Sequence, residues 1–296
     1  LTRESYRAFL EAKAALAAQS GLIVTDDEIS PILKPHQREI VKWAIRGGRR
    51  AIFAAFGLGK TLIQLEIERL ILEHKGGRGL IVCPLGVRQE FTRDATKLIG
   101  MNPIFIRRTE EAGETGVYIT NYESVRDGKL DPRGFTVISL DEAAVLRGFG
   151  GSKTFREFMK LYEGTSNYRF VATATPDPNE FIELLAYSAF LDIMDVGQGK
   201  TRFFKRDSTQ ADKLTLHKHK EKEFWIWVAS WACFVQKPSD VNPAFSNDGY
   251  TLPDMVVNWH EIASDHMKTQ TMEGNGQVRM FKNSAYGVSE AAKEKR

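Results

Sequence analysis

The residue types and spacing best suited to chemistry lie at Gly57-Leu58-Gly59-Lys60-Thr61. There a lysine and a hydroxyl follow two glycines, just past the apolar run RAIFAAF at residues 50–56. Glycines let successive backbone N–H groups turn toward one anion, and a helix beginning at the lysine adds the positive end of its dipole. Lys60 would bring a full charge to the β and γ phosphates of a nucleotide, and Thr61 a hydroxyl to Mg²⁺. The strict phosphate-loop pattern has a further glycine where this chain has Ala54. An ordinary glycine turn with an incidental lysine is the competing explanation; a strand before the loop and a helix after it separate the two.

A phosphate cradle needs a carboxylate for the metal, and FTVISLDEAA at residues 135–144 offers Asp141 and Glu142 after an apolar run. Charges at the end of a buried strand are costly without a partner such as a metal ion. Asp141 would hold Mg²⁺, mainly through its water shell, and Glu142 would orient the attacking water. An acidic helix start explains the sign of the charge but not its pairing with the lysine loop. Together the two motifs imply a nucleoside triphosphate site with a hydrolytic base.

The elements that must carry these groups alternate. Strand-like runs RAIFAAF, GLIVCPL, NPIFIRR, GVYITNY, FTVISLDE and YRFVATATP are separated by stretches that include the amphipathic helical patterns KTLIQLEIERLILEHK and VRQEFTRDATKLIG. Strands this apolar imply a parallel sheet covered by helices on both faces, an α/β fold with ligands beyond the carboxyl ends of its strands. A helix is expected over residues 4–19, and another from Pro35 to a stop at Gly47-Gly48. KEFWIWVASWACFV, residues 222–235, reads as one helix with Phe224, Trp227, Trp231 and Val235 on a shared face, a core stripe rather than a base-stacking one. A short strand is expected at MVVNWHEI, residues 255–262.

Composition bounds the rest. The 296 residues are 42% hydrophobic and 27% charged, with a net charge of +3, which is ordinary for a globular protein. No apolar run is long enough to span a bilayer, so no membrane partner is expected. The N-terminus lacks the layout of a secretory signal and begins with Leu rather than Met. Two cysteines, Cys83 and Cys233, make no disulfide framework, and a reducing cytoplasm is the expected compartment. Residues 199–223 are conspicuously basic and include Lys205 and Arg206, candidates for nucleic-acid backbone contact or simply a solvated face.

In this order the motifs resemble the superfamily 2 helicases and translocases, most closely the Swi/Snf-type branch. LKPHQREIVKWA is similar to that branch's entry segment, whose glutamine reads adenine; here it is Gln37. GLGKT resembles its phosphate loop, LIVCPLGVRQEF and YITNYESV its next two blocks, and DEAA its DEAH box. RFVATATPDPNEFIELL resembles its threonine block. The resemblance spans residues 30–195 and implies a RecA-like ATP-binding lobe of phage or bacterial type. It implies that Gln37, Gly57, Gly59, Lys60 and Thr61 bind ATP, that Thr61 and Asp141 hold Mg²⁺, and that Lys60, Asp141 and Glu142 are catalytic. Thr173 and Thr175 would couple hydrolysis to DNA, and Pro84, Gly86, Thr120 and Asn121 would contact the backbone, where sequence need not be read.

There are two departures. Ala144 replaces the histidine of DEAH, and the arginine block of a second lobe, Q-R-x-G-R-x-x-R, is lacking. An arginine finger contributes about 10³ to 10⁵ in rate, so this chain is expected to bind ATP and hydrolyse it poorly without a second lobe. The implied organisation is a helical segment at 1–29, the ATP-binding lobe at 30–199, a basic and aromatic accessory segment at 200–258, and a linker or the opening of the second lobe at 259–296. The function implied is a DNA translocase or helicase motor, with double-stranded DNA favoured. The alternative is a non-catalytic nucleic-acid or protein-interaction module that keeps the fold. A kinase acceptor site and the guanine-reading Asn-Lys-x-Asp of a GTPase are not found.

Overall fold

Burial alternating with period two along the strands, on both faces at once, sets the architecture. In β1 (Arg49–Ala54), Ala51 and Phe53 enter one core while Ile52 and Ala54 enter another on the opposite face. The same division holds in β2 (Arg78–Val82), β4 (Gly116–Thr120), β5 (Val137–Asp141) and β6 (Tyr168–Thr173). A strand buried on both sides needs helices on both sides, and the chain supplies them. The computed structural model describes residues 16–146, 153–163, 165, 168–176, 181–206 and 214–250.

Among these residues the main sheet has seven strands in the order β3-β4-β2-β5-β6-β1-β9, every pair parallel, with β3 at Ile104–Phe105 and β9 at Ala232–Val235. One face is covered by α1 (Pro35–Gly47), α2 (Lys60–Lys75) and α3 (Arg88–Asp94). The other is covered by α4 (Tyr122–Arg126), α5 (Lys153–Tyr162), α6 (Leu184–Phe190), α7 (Val196–Phe203) and α8 (Glu221–Ala229). This is a RecA-like α/β fold. β7 (Phe204–Arg206) and β8 (Leu214–Leu216) form a separate antiparallel ribbon.

Helix ends follow local chemistry. Pro35 starts α1, and Gly48, in the left-handed region at φ 75°, stops it by donating to Ala44 and Ile45. Helix α2 begins at Lys60, directly after the glycine loop.

One expected helix divides. Residues 222–235 make α8 and then β9, because the Trp231 carbonyl accepts from Ala51 N–H at 2.8 Å and draws the chain alongside β1. Phe224, Trp227 and Trp231 are fully buried in one core, as a core stripe requires, but Val235 is buried on the opposite face of the sheet. Pairing the open edge of β1 overrides the helical period in that stretch. The sheet therefore continues past residue 199 into a stretch expected to be accessory. The helix expected at 4–19 falls mostly outside the described residues, and residues 16–19 are not helical; the strand expected at 255–262 lies wholly outside them. No helix among the described residues is long and apolar enough to cross a membrane.

Candidate active site

All strands of the main sheet run the same way, so the turns after β1, β2, β4, β5 and β6 open on one edge. The turn after β1 is the lysine loop. Gly57 and Gly59 have φ of 84° and 79°, where a side chain is strained. Gly59 is constrained twice, since a Cβ there would lie 2.2 Å from the Gln37 side chain. Ala54 needs no glycine: it is the last, fully buried residue of β1 and has no positive φ. Lys60 starts α2, and its Nζ donates to the carbonyls of Ala54 at 3.0 Å and Ala55 at 3.3 Å, leaving a third ammonium hydrogen. Thr61 stands in the same first turn, partly exposed.

The acidic pair ends β5, two strands away across β6. Glu142 adopts φ 48°, unusual for a side-chain-bearing residue. Burial lowers the Lys60 pKa while Glu142 and Asp141 raise it. Burial pushes Asp141 up to about 6; a hydrogen bond from Gln64 opposes this, Glu142 adds to it and Lys60 counters. Cation and anions thus act on one another at a common edge.

The remaining candidates fall into two groups. Thr173, buried at the end of β6, donates to Glu142 Oε2 at 3.2 Å and accepts from Thr175 N–H at 3.2 Å. That is a direct link between the end of β6 and the residue after β5. Gln37 is buried beside the loop: its Oε1 accepts from Lys34 N–H at 2.9 Å, and its Nε2 donates to Leu58 O at 3.1 Å, leaving one amide hydrogen and one lone pair.

Of the surface candidates, Gly86 is exposed and Pro84 partly so, in the turn after β2. Asn121 precedes α4, where its side chain donates to Glu123 Oε2 and accepts from the Ser124 hydroxyl. Thr120 departs from expectation. It is fully buried and its hydroxyl donates to Ile106 O at 2.8 Å, so the side chain is not offered to a ligand. Lys205 and Arg206 are exposed on the β7–β8 ribbon, apart from the sheet edge.

Sequence reasoning missed three groups. Gln64, fully buried, donates to Asp141 Oδ1 at 2.8 Å. Ser139 donates to Gln64 Oε1 at 2.6 Å. Tyr122 donates its hydroxyl to the Asp141 carbonyl at 2.6 Å. Only Ser139 carried a signal, as a polar residue inside the apolar strand VISLD.

No group of three or more His, Cys, Asp or Glu side chains among the described residues could by itself hold a metal. One carboxylate and one hydroxyl, both hard oxygen donors, suit Mg²⁺, which keeps much of its water and shares phosphate oxygens. Asp141 fits that part, with one oxygen committed to Gln64 and the other not drawn into that bond.

Solved structures place the architecture. The Sulfolobus solfataricus SWI2/SNF2 ATPase core in complex with double-stranded DNA superposes with a TM-score of 0.60 at 19% identity, over 73% of this chain and 47% of that one. The described residues share the fold of that ATPase core. The same S. solfataricus core domain in another structure gives a TM-score of 0.56 at 18% identity, over 74% of this chain and 48% of that one. The UvsW helicase of bacteriophage T4 gives a TM-score of 0.42 at 15% identity, over 65% of each chain. The chain spans about half the length of the SWI2/SNF2 cores it matches. No family model and no curated protein matches this sequence.

Proposed function

We propose that the chain is the nucleotide-binding lobe of an ATP-dependent DNA translocase or helicase. The observation that supports this most is the placement of Lys60, in the turn after β1, and of Asp141 and Glu142, at the end of β5, on one edge of a parallel sheet. Gly57, Gly59 and Lys60 hold the phosphates, Gln37 reads adenine with its remaining amide hydrogen and lone pair, and Thr61 and Asp141 hold Mg²⁺. When bound, Mg²⁺ would neutralise charge on the phosphates. Glu142 orients the attacking water and accepts its proton. Thr173, bonded to Glu142, and its neighbour Thr175 transmit the state of that carboxylate along the edge.

The SWI2/SNF2 neighbour was solved on double-stranded DNA, and the same class of ligand is proposed here. The contacts proposed are Pro84, Gly86 and Asn121 at the edge, with Lys205 and Arg206 on the ribbon. A second RecA-like lobe supplies the arginines this sequence lacks, and the cytoplasm of a bacterium or phage-infected cell is the proposed setting.

The test is nucleotide affinity and turnover. Lys60→Ala should weaken ATP binding at least about tenfold, roughly 1.4 kcal/mol; unchanged affinity contradicts the cradle. In a chain carrying both lobes, Glu142→Gln should keep ATP binding and lose DNA-stimulated turnover by about 10² to 10⁴. ATP binding without any turnover in the two-lobed parent would instead favour an interaction module.

A further inference from the structure

Gln64 is a buried polar side chain that neither the phosphate cradle nor the acidic pair requires. It sits one helical turn beyond Lys60 on α2, with no solvent exposure. Both ends of its amide are engaged: Nε2 donates to Asp141 Oδ1 at 2.8 Å, with Lys60 O a further 3.4 Å contact, and Oε1 accepts from Ser139 Oγ at 2.6 Å. Asp141 and Ser139 are alternate residues of β5 and thus lie on the same face of that strand. A single amide spans them from the helix that also carries Lys60 and Thr61.

We propose that Gln64 is a positioning residue. It fixes the carboxylate of Asp141 so that one oxygen is held by the protein and the other is presented to a nucleotide-bound divalent cation. The proposal rests on the nucleotide-site assignment above and adds a residue to it. The amide is directional: an ionised Asp141 accepts only from its N–H end, which leaves the carbonyl end for the Ser139 hydroxyl. Turning Asp141 away would deprive a fully buried amide donor of its best acceptor, so one carboxylate rotamer is held before any ligand arrives. Because Gln64 and Lys60 share one rigid helical turn, the phosphate cradle and the metal carboxylate move as a unit.

The test measures ATP affinity by calorimetry, once with excess Mg²⁺ and once with EDTA, for the parent, Gln64→Met and Ser139→Ala. Gln64→Met keeps the length of the side chain and removes both amide ends; Ser139→Ala disturbs packing least and leaves the amide anchored on one side. The expected result is an unchanged affinity in EDTA and a loss of about tenfold in Mg²⁺ for Gln64→Met. Ser139→Ala should show a smaller loss, about threefold, in the same direction. Equal Mg²⁺-to-EDTA ratios in Gln64→Met and the parent would overturn the proposal, as would an equal loss under both conditions. If Gln64→Met does not fold, Ser139→Ala decides alone, a parent-like ratio overturning the proposal. A parent that binds ATP under neither condition fails the nucleotide-site assignment itself, and the proposal with it.

Discussion

At the amino edge of the sheet, the Arg169 guanidinium lies buried near the start of β6 and donates to the carbonyls of Tyr162, at 2.6 Å, and Phe190, at 2.7 Å, as well as to Thr165. Tyr162 and Phe190 are the last residues of α5 and α6, so two helix carboxyl ends, negative in dipole, converge on one cation. Burial lowers its pKa to about 10, which leaves it charged at neutral pH. At the carboxyl edge the buried charge is Asp141, with one side-chain bond from Gln64, a like-charged neighbour in Glu142, and a pKa pushed up to about 6. One edge satisfies its buried ion with fixed carbonyls. The other keeps an ion in tension, as sites that must accept a ligand do.

The largest expected effect tests the satisfied edge. Arg169→Met strands helix-terminal carbonyls and should lower unfolding stability by roughly 4 kcal/mol, leaving the ATP affinity of the folded protein unchanged. Denaturant titration with parallel binding measurements checks both; a neutral result removes that half of the contrast.

Asp141→Asn should act in the opposite sense. Burial raises the folded pKa of Asp141 above its unfolded value, so its favourable contribution is present below about pH 4 and lost as pH rises through about 6. At neutral pH the amide should therefore stabilise the fold by about 2–3 kcal/mol while weakening Mg²⁺-dependent ATP binding. Unfolding curves at pH 4 and pH 7 should show that gain only at the higher pH; a gain of the same size at both would mean that burial of the charge is not its source.

Glu68 breaks the symmetry. On α2, beside Gly79 near the amino end of β2, its fully buried carboxyl has no hydrogen-bond partner on either oxygen, and burial holds its pKa well above the ordinary value. Glu68→Met should raise stability by about 1–2 kcal/mol at neutral pH without altering ATP affinity. A fall in ATP affinity would place function on the carboxyl half of α2 and end the simple two-edge contrast. The smallest effects concern the ribbon: Lys205→Ala and Arg206→Ala should each reduce the salt slope of DNA binding by about 1. Unchanged slopes would return both residues to the solvated surface.

Sequence periodicity was most legible where local and tertiary preferences agree. The helix KTLIQLEIERLILEHK and the strands VISLD and YRFVAT stand where their patterns place them, and the lysine loop and acidic pair could be read from residue type alone. Two things were hidden. Helix α2 buries Gln64, Glu66 and Glu68 along with its leucines and isoleucines, so it has no simple polar face, and the polar side chains inside it could be assigned only once their partners were placed. The FWIWVASWACFV stretch carries a helical repeat that also satisfies a helix followed by a strand, and only the open edge of β1 decides between them. Thr120 was misplaced for a similar reason: its position in a motif indicates a block, not the direction of a hydroxyl.

The return of β9 to flank β1 has a practical corollary. The strand that ends in the glycine–lysine loop is an interior strand, hydrogen-bonded to β6 on one side and β9 on the other. An expression boundary drawn at residue 199 would strip away its outer neighbour, expose a ladder of unsatisfied amides and carbonyls, and invite association between molecules. A fragment that keeps this sheet whole must therefore extend at least through Val235.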